Sequence, residues 1–467
     1  MAEPLWTSQE IAAATGGQGL GAGFAATGVS IDTRSIEPGD LFVALGGARD
    51  GHGFVDQALA KGAAGVLASQ PVAGPAVRVG DTLKALEQLG AAARDRAAGA
   101  RRGAVTGSVG KTSVTQATAA GLKLAGRWHA SVKSYNNHIG VPLTLARMPK
   151  TTERAIFEIG MNHAGEISPL TRMVKPHAVV VTTVGPVHTE NFADGEDGVA
   201  RAKAEIFEGL EPGGIAVLNA DNRWFDFLKA EAEKAGAEVR TFGVAGGCDA
   251  RLIDFQPTGD HAAVQARFHG KGLDFPILQS GQHWGLNSMA VLLMLEALEV
   301  DLGDSLAALG SFEPLEGRGA ERQVALPGGG FTLIDESYNA NPISMASAIA
   351  TLGARKTPGT AGGRRIVALT DMLELGPDAP RFHAALAAPL EAAGVDLVFC
   401  AGPLMKSLFD ALPPTRRGGY AGTAAEIAPL VARAAEPGDV VMVKGSNGSK
   451  AGLIAQALLA LGSGERG

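Results

Sequence analysis

The sequence predicts three α/β domains in succession, a small N-terminal one followed by two built on open parallel sheets. The chain has 467 residues, and at roughly 150 residues per domain that is about three domains rather than one. Short apolar runs (RAIFEIG, AVVVTTVG, GIAVLNA, then FTLIDES, RIVALTD, DLVFCAG, VVMVKGS) alternate with helix-forming stretches. This is the pattern of buried parallel strands joined by helices. The glycine-bounded loop TGSVGKTS stands between a short strand, GAV, and a helix-compatible TQATAAGLKLA.

Composition narrows the function classes. Hydrophobic residues make up 46% and charged residues 19%, enough apolar material for packed cores and no sign of general disorder. Glycine is abundant, 64 residues against 5% aromatics, which points to small-residue packing and function carried by loops. With 41 Lys and Arg against 48 Asp and Glu, the formal charge is −7, so no global field draws nucleic acid or anionic lipid. Only Cys248 and Cys400 are present, far apart, which argues against a disulfide framework or a zinc site and for a reducing compartment. No signal-peptide pattern and no run of 18 apolar residues is seen. A soluble cytoplasmic protein is expected.

The elements follow in order. Thr7 to Glu10 has capping-box spacing ahead of IAAAT, VSIDTRSIEPGDLFVAL suggests short strands, and a helix from Val55 runs to AAGVLAS. The stretch GQGLGAGFAA is near a dinucleotide fingerprint but follows no strand, so no ligand is assigned to it. An Ala- and Arg-rich helix, LKALEQLGAAARDRAAGARR, leads to a boundary near residue 100. The expected domains are 1–100, 101–313 and 314–467, the strands of the last following SFEPLEGRGAER.

Residues Gly107, Ser108, Val109, Gly110, Lys111, Thr112 and Ser113 form a phosphate loop. Glycines let backbone N–H groups close on phosphate oxygens, the helix N-terminus favours their charge, Lys111 reaches the β and γ phosphates, and Thr112 can ligate magnesium. Val105 stands where the common pattern has its first glycine. Glu158 lies among residues that should be buried, where a carboxylate needs a cation or several donors. His188 follows the next strand, at the end where α/β sheets present groups to ligands. Lys203 has Ile206, Phe207 and Leu210 at i+3, i+4 and i+7, on the apolar face of a predicted helix. Such a lysine either snorkels or has its charge neutralised or converted, and the residues alone leave both open.

With these residues assembled, the chain resembles the Mur ligase family over essentially its whole length. The motifs that carry the resemblance are DTRSIEPGDLFVAL and DGHGFVDQALAKGA in the first region, then TGSVGKTS, SYNNHIGVPLTL, FEIGMNHAGEI, TTVGPVHTENF, AKAEIFEGL and GQHWGLNSMAVL in the second. DESYNANP, TDMLELG and VKGSNGSK continue it through the third, and DESYNANP separates the dipeptide-adding branch from sister ligases that add L-Ala, D-Glu or the third residue. The resemblance implies a UDP-sugar domain, a central P-loop-type ATPase domain and a C-terminal Rossmann-like domain that closes over ATP and binds the incoming dipeptide. It implies ATP-dependent ligation of D-alanyl-D-alanine to a UDP-N-acetylmuramoyl tripeptide through an acyl phosphate, in cytoplasmic peptidoglycan precursor synthesis, by a monomer.

The implied roles follow the matching positions. Lys111 and Thr112 serve ATP and magnesium, and Glu158, His188 and Lys203, the last as a carbamate, join Thr112 at the metal. His283 and Asn287 lie on the adenine side, and Arg318 and Asp335 close over phosphate and ribose. Asp32, Thr33 and Arg34 bind the UDP-sugar, while Asn137, Asn339 and Asn341 face substrate. Ser108, Val109, Asn222, Thr370 and Asn447 depart from the usual family pattern without removing a charged catalytic group. The rivals are a folylpolyglutamate-type ligase, which would share the loop but not DESYNANP or the first domain, and a P-loop nucleotide switch, weakened by the absence of NKxD.

Overall fold

A computed structural model describes residues 3–47, 49–132, 134–187, 189–258, 261–355 and 363–462. Among them the strands form three larger sheets and one two-stranded ribbon. The first sheet runs Gln18–Leu20, Ala76–Arg78, Gly65–Ala68, Asp40–Val43, Gly28–Ser30, antiparallel at the first pairing and parallel thereafter. The glycine-rich stretch near residue 18 thus supplies an edge strand. Helix Ser8–Thr15 begins with the anticipated box, Thr7 and Glu10 each satisfying the other's backbone amide.

The first domain is packed against the second rather than tethered to it. Helix Thr82–Arg96 lies on helix Gly140–Ala146, so closely that a Cβ on Gly90 would stand 3.1 Å from the Pro142 carbonyl oxygen. All seven residues of the second helix are buried, and its Leu143 and Ala146 complete the first domain's core beside Trp6, Leu41 and Leu89. The Trp6 indole donates to Ala146 O at 2.7 Å, with the Arg96 guanidinium 3.8 Å from its ring centre.

The central sheet has nine strands. Its parallel part runs Trp128–Ala130, Arg154–Glu158, Arg101–Thr106, Ala178–Val181, Ile215–Asn219, Glu238–Gly243 and Ala250–Pro257. An antiparallel extension, Ala262–Phe268 and Lys271–Ile277, completes it. The anticipated strands occupy the middle. The sequence does not mark the first edge strand or the sheet's strands from Glu238 to Ile277, because their side chains are only half buried and break the apolar run: Ala262–Phe268 alternates buried and exposed. The chain leaves Arg101–Thr106 toward one side of the sheet and returns on the other, so the order reverses there, and open α/β sheets bind ligands beyond the carboxyl ends at such a point.

The third sheet runs Ala320–Leu326, Gly329–Glu336, Val440–Lys444, Arg365–Thr370, Leu397–Ala401, Arg417–Ala421, with only the first pairing antiparallel. The four strands expected in this region are its four middle members. Apolar clusters cover both faces, which is why these strands read as continuous apolar runs. Cys248 and Cys400 are free thiols. No helix among the described residues is long and apolar enough to cross a membrane.

Candidate active site

The phosphate loop leaves strand Arg101–Thr106 and enters helix Lys111–Ala125. Gly107 and Gly110 have φ of 145° and 85°, and a Cβ on Gly107 would lie 1.9 Å from Thr182 Oγ1. Glycine is required there by backbone conformation and by space. Thr182 Oγ1 donates to Val109 O at 2.5 Å, while Ser108 Oγ donates to Gly185 O at 3.2 Å and accepts from Gly185 N at 3.1 Å. The loop is thereby pinned to the segment after the neighbouring strand. Lys111 Nζ folds back on Gly107 O at 2.7 Å. Burial lowers its pKa and the Arg318 charge adds to this, while Glu158 opposes it.

Glu158 ends its strand and is 1% exposed. Asn136 Nδ2 donates to its Oε1 at 2.7 Å, and Oε2 has no hydrogen-bond partner. A buried carboxylate oxygen left this way is costly without a cation. The Thr112 and Ser134 hydroxyls lie 3.1 Å apart on the same cleft wall. Hard oxygen donors of this kind fit magnesium. His188 lies outside the described residues.

Lys203 is 2% exposed, so it does not snorkel. The helix bearing it, Glu196–Ala204, gives way to a 3-10 turn, Glu205–Gly209. The expected α-helical stripe therefore stops one residue beyond Lys203, and the buried Ile206 and Phe207 belong to the turn. Burial pushes the amine well below the usual lysine range, and the Lys111 charge acts in the same direction against Glu205, Glu158 and Glu166.

The opposite wall belongs to the third domain. Arg318 reaches across it, Nη2 donating to Ser134 Oγ at 3.3 Å, its guanidinium 4.2 Å from the Tyr338 ring centre. Asn339, Asn341, Ser446 and Asn447 complete a cleft of about 350 Å³ whose other side is the loop, Glu158 and Asn136. Asn341 caps helix Pro342–Ala354, leaving its buried Nδ2 without a partner.

An adjoining cavity of about 140 Å³ is lined by Gly110, Ser113, His283, Asn287, Arg318 and Glu336, among others. His283 Nδ1 is 3.3 Å from Ser347 Oγ, and burial lowers its pKa, favouring the neutral ring. Lys444, 2% exposed, lies beside Glu336 in parallel register, its Nζ 3.2 Å from Glu336 Oε2 and 2.9 Å from Asn339 O.

Some expected residues fall elsewhere. Asp335 lines neither cavity. Its Oδ1 accepts from Ser337 N at 3.0 Å, and because neighbours along a strand point to opposite faces, Glu336 takes the cavity side. Asn137 turns its Oδ1 to the amides of Ile139 and Gly140 at 3.2 and 2.9 Å, while Asn136 faces the cleft. Asp32, Thr33 and Arg34 stay on the first domain. Arg34 forks onto Asp32, whose carboxyl is held down at about 2 by that partner, and Thr33 Oγ1 donates to Gln57 Oε1 at 2.8 Å. Ser134, Asn136, Tyr338, Glu336 and Lys444 were not anticipated. A charged residue inside an apolar run, the signal that marked Glu158, was also present at Lys444 in VVMVKGS.

Comparison with known proteins agrees along the chain. Residues 105–295 match the Mur ligase middle domain, 322–447 the Mur ligase glutamate ligase domain, and 25–91 the Mur ligase family catalytic domain. The UDP-N-acetylmuramoyl-tripeptide–D-alanyl-D-alanine ligase of Rickettsia prowazekii is 30% identical over 427 residues, covering 90% of this chain and 93% of that protein. The ligase of the same name from Escherichia coli K12 is 36% identical, covering 83% of each. A crystal structure of MurF from Acinetobacter baumannii matches with a TM-score of 0.83 at 26% identity, covering 97% of this chain and 99% of that one. The chain belongs to the Mur ligase family.

Proposed function

We propose that the chain is an ATP-dependent amide ligase that joins D-alanyl-D-alanine to a UDP-N-acetylmuramoyl tripeptide in peptidoglycan precursor synthesis. The observation that carries this reading is one cleft in which a P-loop lysine, a buried carboxylate oxygen without a partner and an arginine from another domain converge. A carboxylate is a poor electrophile. In the proposed reaction the tripeptide carboxylate attacks the γ phosphorus, the bond to the bridging oxygen breaks, and ADP leaves. The neutral dipeptide amine then attacks the acyl carbon, the carbon–oxygen bond to phosphate breaks, and the amine proton passes to solvent.

Lys111 and Arg318 would neutralise charge on the transferred phosphoryl group, from opposite walls, where donors already in place are worth most. Glu158 and Thr112 would hold magnesium together with His188 and a carbamylated Lys203. Magnesium, when bound, would screen the phosphate charge. A buried neutral amine is the form that can add carbon dioxide with loss of a proton, and the low pKa of Lys203 supports that state. His283 and Asn287 would take the adenine, with Glu336 rather than Asp335 toward the ribose. Domain 101–313 would bind ATP, 1–100 the UDP-sugar through Asp32, Thr33 and Arg34, and 314–467 the dipeptide, with Asn339 and Asn341 on its cleft wall. The enzyme would work as a cytoplasmic monomer.

The test is ADP release by the purified protein given ATP, magnesium and UDP-N-acetylmuramoyl tripeptide, with and without D-alanyl-D-alanine. Sustained turnover is expected only with the dipeptide. Turnover indifferent to it would overturn the ligase reading in favour of a nucleotide switch.

A further inference from the structure

Helix Ile167–Val174 begins without a side-chain cap of its own, at exposed Glu166. The amides around its start are taken instead by a carboxylate 37 to 40 residues away, Glu205. Oε1 accepts from Gly165 N at 2.6 Å, and Oε2 from Ile167 N and Ser168 N, both at 3.1 Å. Orphan N–H groups and the helix dipole both favour a negative group there.

What lies at each end of this tie makes it more than a cap. The Gly165–Ser168 segment continues the chain from Glu158, and Gly160, Met161 and Asn162 in between line the cleft. Glu205 opens the 3-10 turn two residues after Lys203. The two segments are packed further out as well. Thr171 Oγ1 donates to Ile206 O at 2.8 Å, and a Cβ on Gly209 would stand 2.2 Å from the Thr171 carbonyl carbon. Glu208 binds Ser168 Oγ at 2.5 Å and Arg172 Nη2 at 2.8 Å. Of these ties, the one made by Glu205 is nearest along the chain to both Glu158 and Lys203.

We propose that Glu205 is a positioning residue for the reaction: by clamping the segment that follows Glu158 to the turn that follows Lys203, it sets the placement of those two side chains relative to each other. It touches no reacting group. The inference rests on the reading of Glu158 and Lys203 as groups of the active site.

The test compares Glu205→Ala and Glu205→Gln with Glu208→Ala, which removes an outer tie between the same two elements. Glutamine keeps the size but turns an NH₂ toward amide donors. Steady-state rates, thermal midpoints and amide hydrogen exchange are measured on the full chain. Expected for both Glu205 variants is a kcat lowered on the order of tenfold or more, the scale of a small misplacement in an active site, with KM for ATP and for the UDP-sugar within about threefold. Exchange should quicken at Gly165, Ile167 and Ser168 and also at Lys203 to Phe207. Glu208→Ala should keep kcat within about twofold even where its midpoint falls as far. A folded Glu205→Gln with wild-type kcat, or with exchange changed only at the three capped amides, would overturn the proposal and leave a simple cap. Lys203→Ala, assayed alongside, separates the two levels: if it is fully active the underlying reading fails, whereas an inactive Lys203→Ala beside a fully active Glu205→Ala refutes only the positioning role.

Discussion

Replacing Gly107 by alanine tests the phosphate loop where its geometry is tightest. The new Cβ would lie 1.9 Å from Thr182 Oγ1, and ordinary contact begins near 3.4 Å, so either the hydroxyl swings away and gives up its bond to Val109 O, or loop and strand end part by as much as 1.5 Å, the difference of the two distances. Two costs add to that displacement. A non-glycine residue held at a φ of 145° costs about 1–3 kcal/mol, and losing the Thr182–Val109 hydrogen bond costs about 1 kcal/mol. A loss of about 2–4 kcal/mol follows, or a midpoint lowered by roughly 5–10 °C for a unit of this size. A phosphate loop shifted by more than an ångström should also lose about a hundredfold in kcat. The assays are thermal unfolding and ADP formation, on Gly107→Ala, Thr182→Ala and the double variant. Thr182→Ala removes the obstructing hydroxyl, so the double variant should be better than the sum of its parts, with a coupling of about 1 kcal/mol or more. Gly107→Ala with kcat within threefold of wild type, or strictly additive losses in the double variant, would refute the steric account.

Other expectations follow from the same geometry. Lys111→Ala should lose on the order of a thousandfold in ligation with an unchanged thermal midpoint, since charge stabilisation dominates phosphoryl transfer; more than a tenth of wild-type activity would remove it from the site. Glu336→Gln should raise the KM for ATP several-fold, whereas Asp335→Asn should change stability more than nucleotide affinity, because only Glu336 lines the cavity beside His283; the reverse ranking in nucleotide titrations would restore Asp335. His129, its Nε2 2.7 Å from Thr144 O, is pushed down to about 4 by burial from an ordinary 6.5. The unfolded chain binds the extra proton between those values, so this contribution is full above about pH 6.5 and is lost as pH falls toward 4, by about 3 kcal/mol. Urea midpoints between pH 4.5 and 7 should therefore vary less in His129→Gln than in wild type, and equal pH dependence would exclude His129 as the cause.

Much of the molecule was legible in the chain because its signals are local. Strands buried on both faces, such as Ala178–Val181 and Val440–Lys444, need an unbroken apolar run wherever they end up in the sheet. A glycine-bounded turn from a strand into a helix is likewise encoded by adjacent residues, so the turn at TGSVGKTS was readable from seven or eight of them. Glu158, a charged residue inside an apolar run, was equally visible, since burying a charge is costly wherever it happens, and it is buried. Lys203 is buried too, although the helix whose apolar face singled it out ends at Ala204.

Tertiary structure alone decided which neighbour of a pair faces the cleft. Asn136 rather than Asn137, and Glu336 rather than Asp335, are set by how a strand end or loop turns relative to a domain many residues away. A one-residue step along a strand reverses the side chain, so composition and spacing cannot distinguish such neighbours. The meeting of Arg318 with Ser134, 184 residues earlier in the chain, depends likewise on how two separately packed sheets dock. That docking energy is spread over contacts such as Arg355 with Ser280 at 2.8 Å, none of which repeats with a period. Local periodicity could therefore specify the sheets and the loop, while the convergence of their ends on one cleft was settled only by the packing of domains.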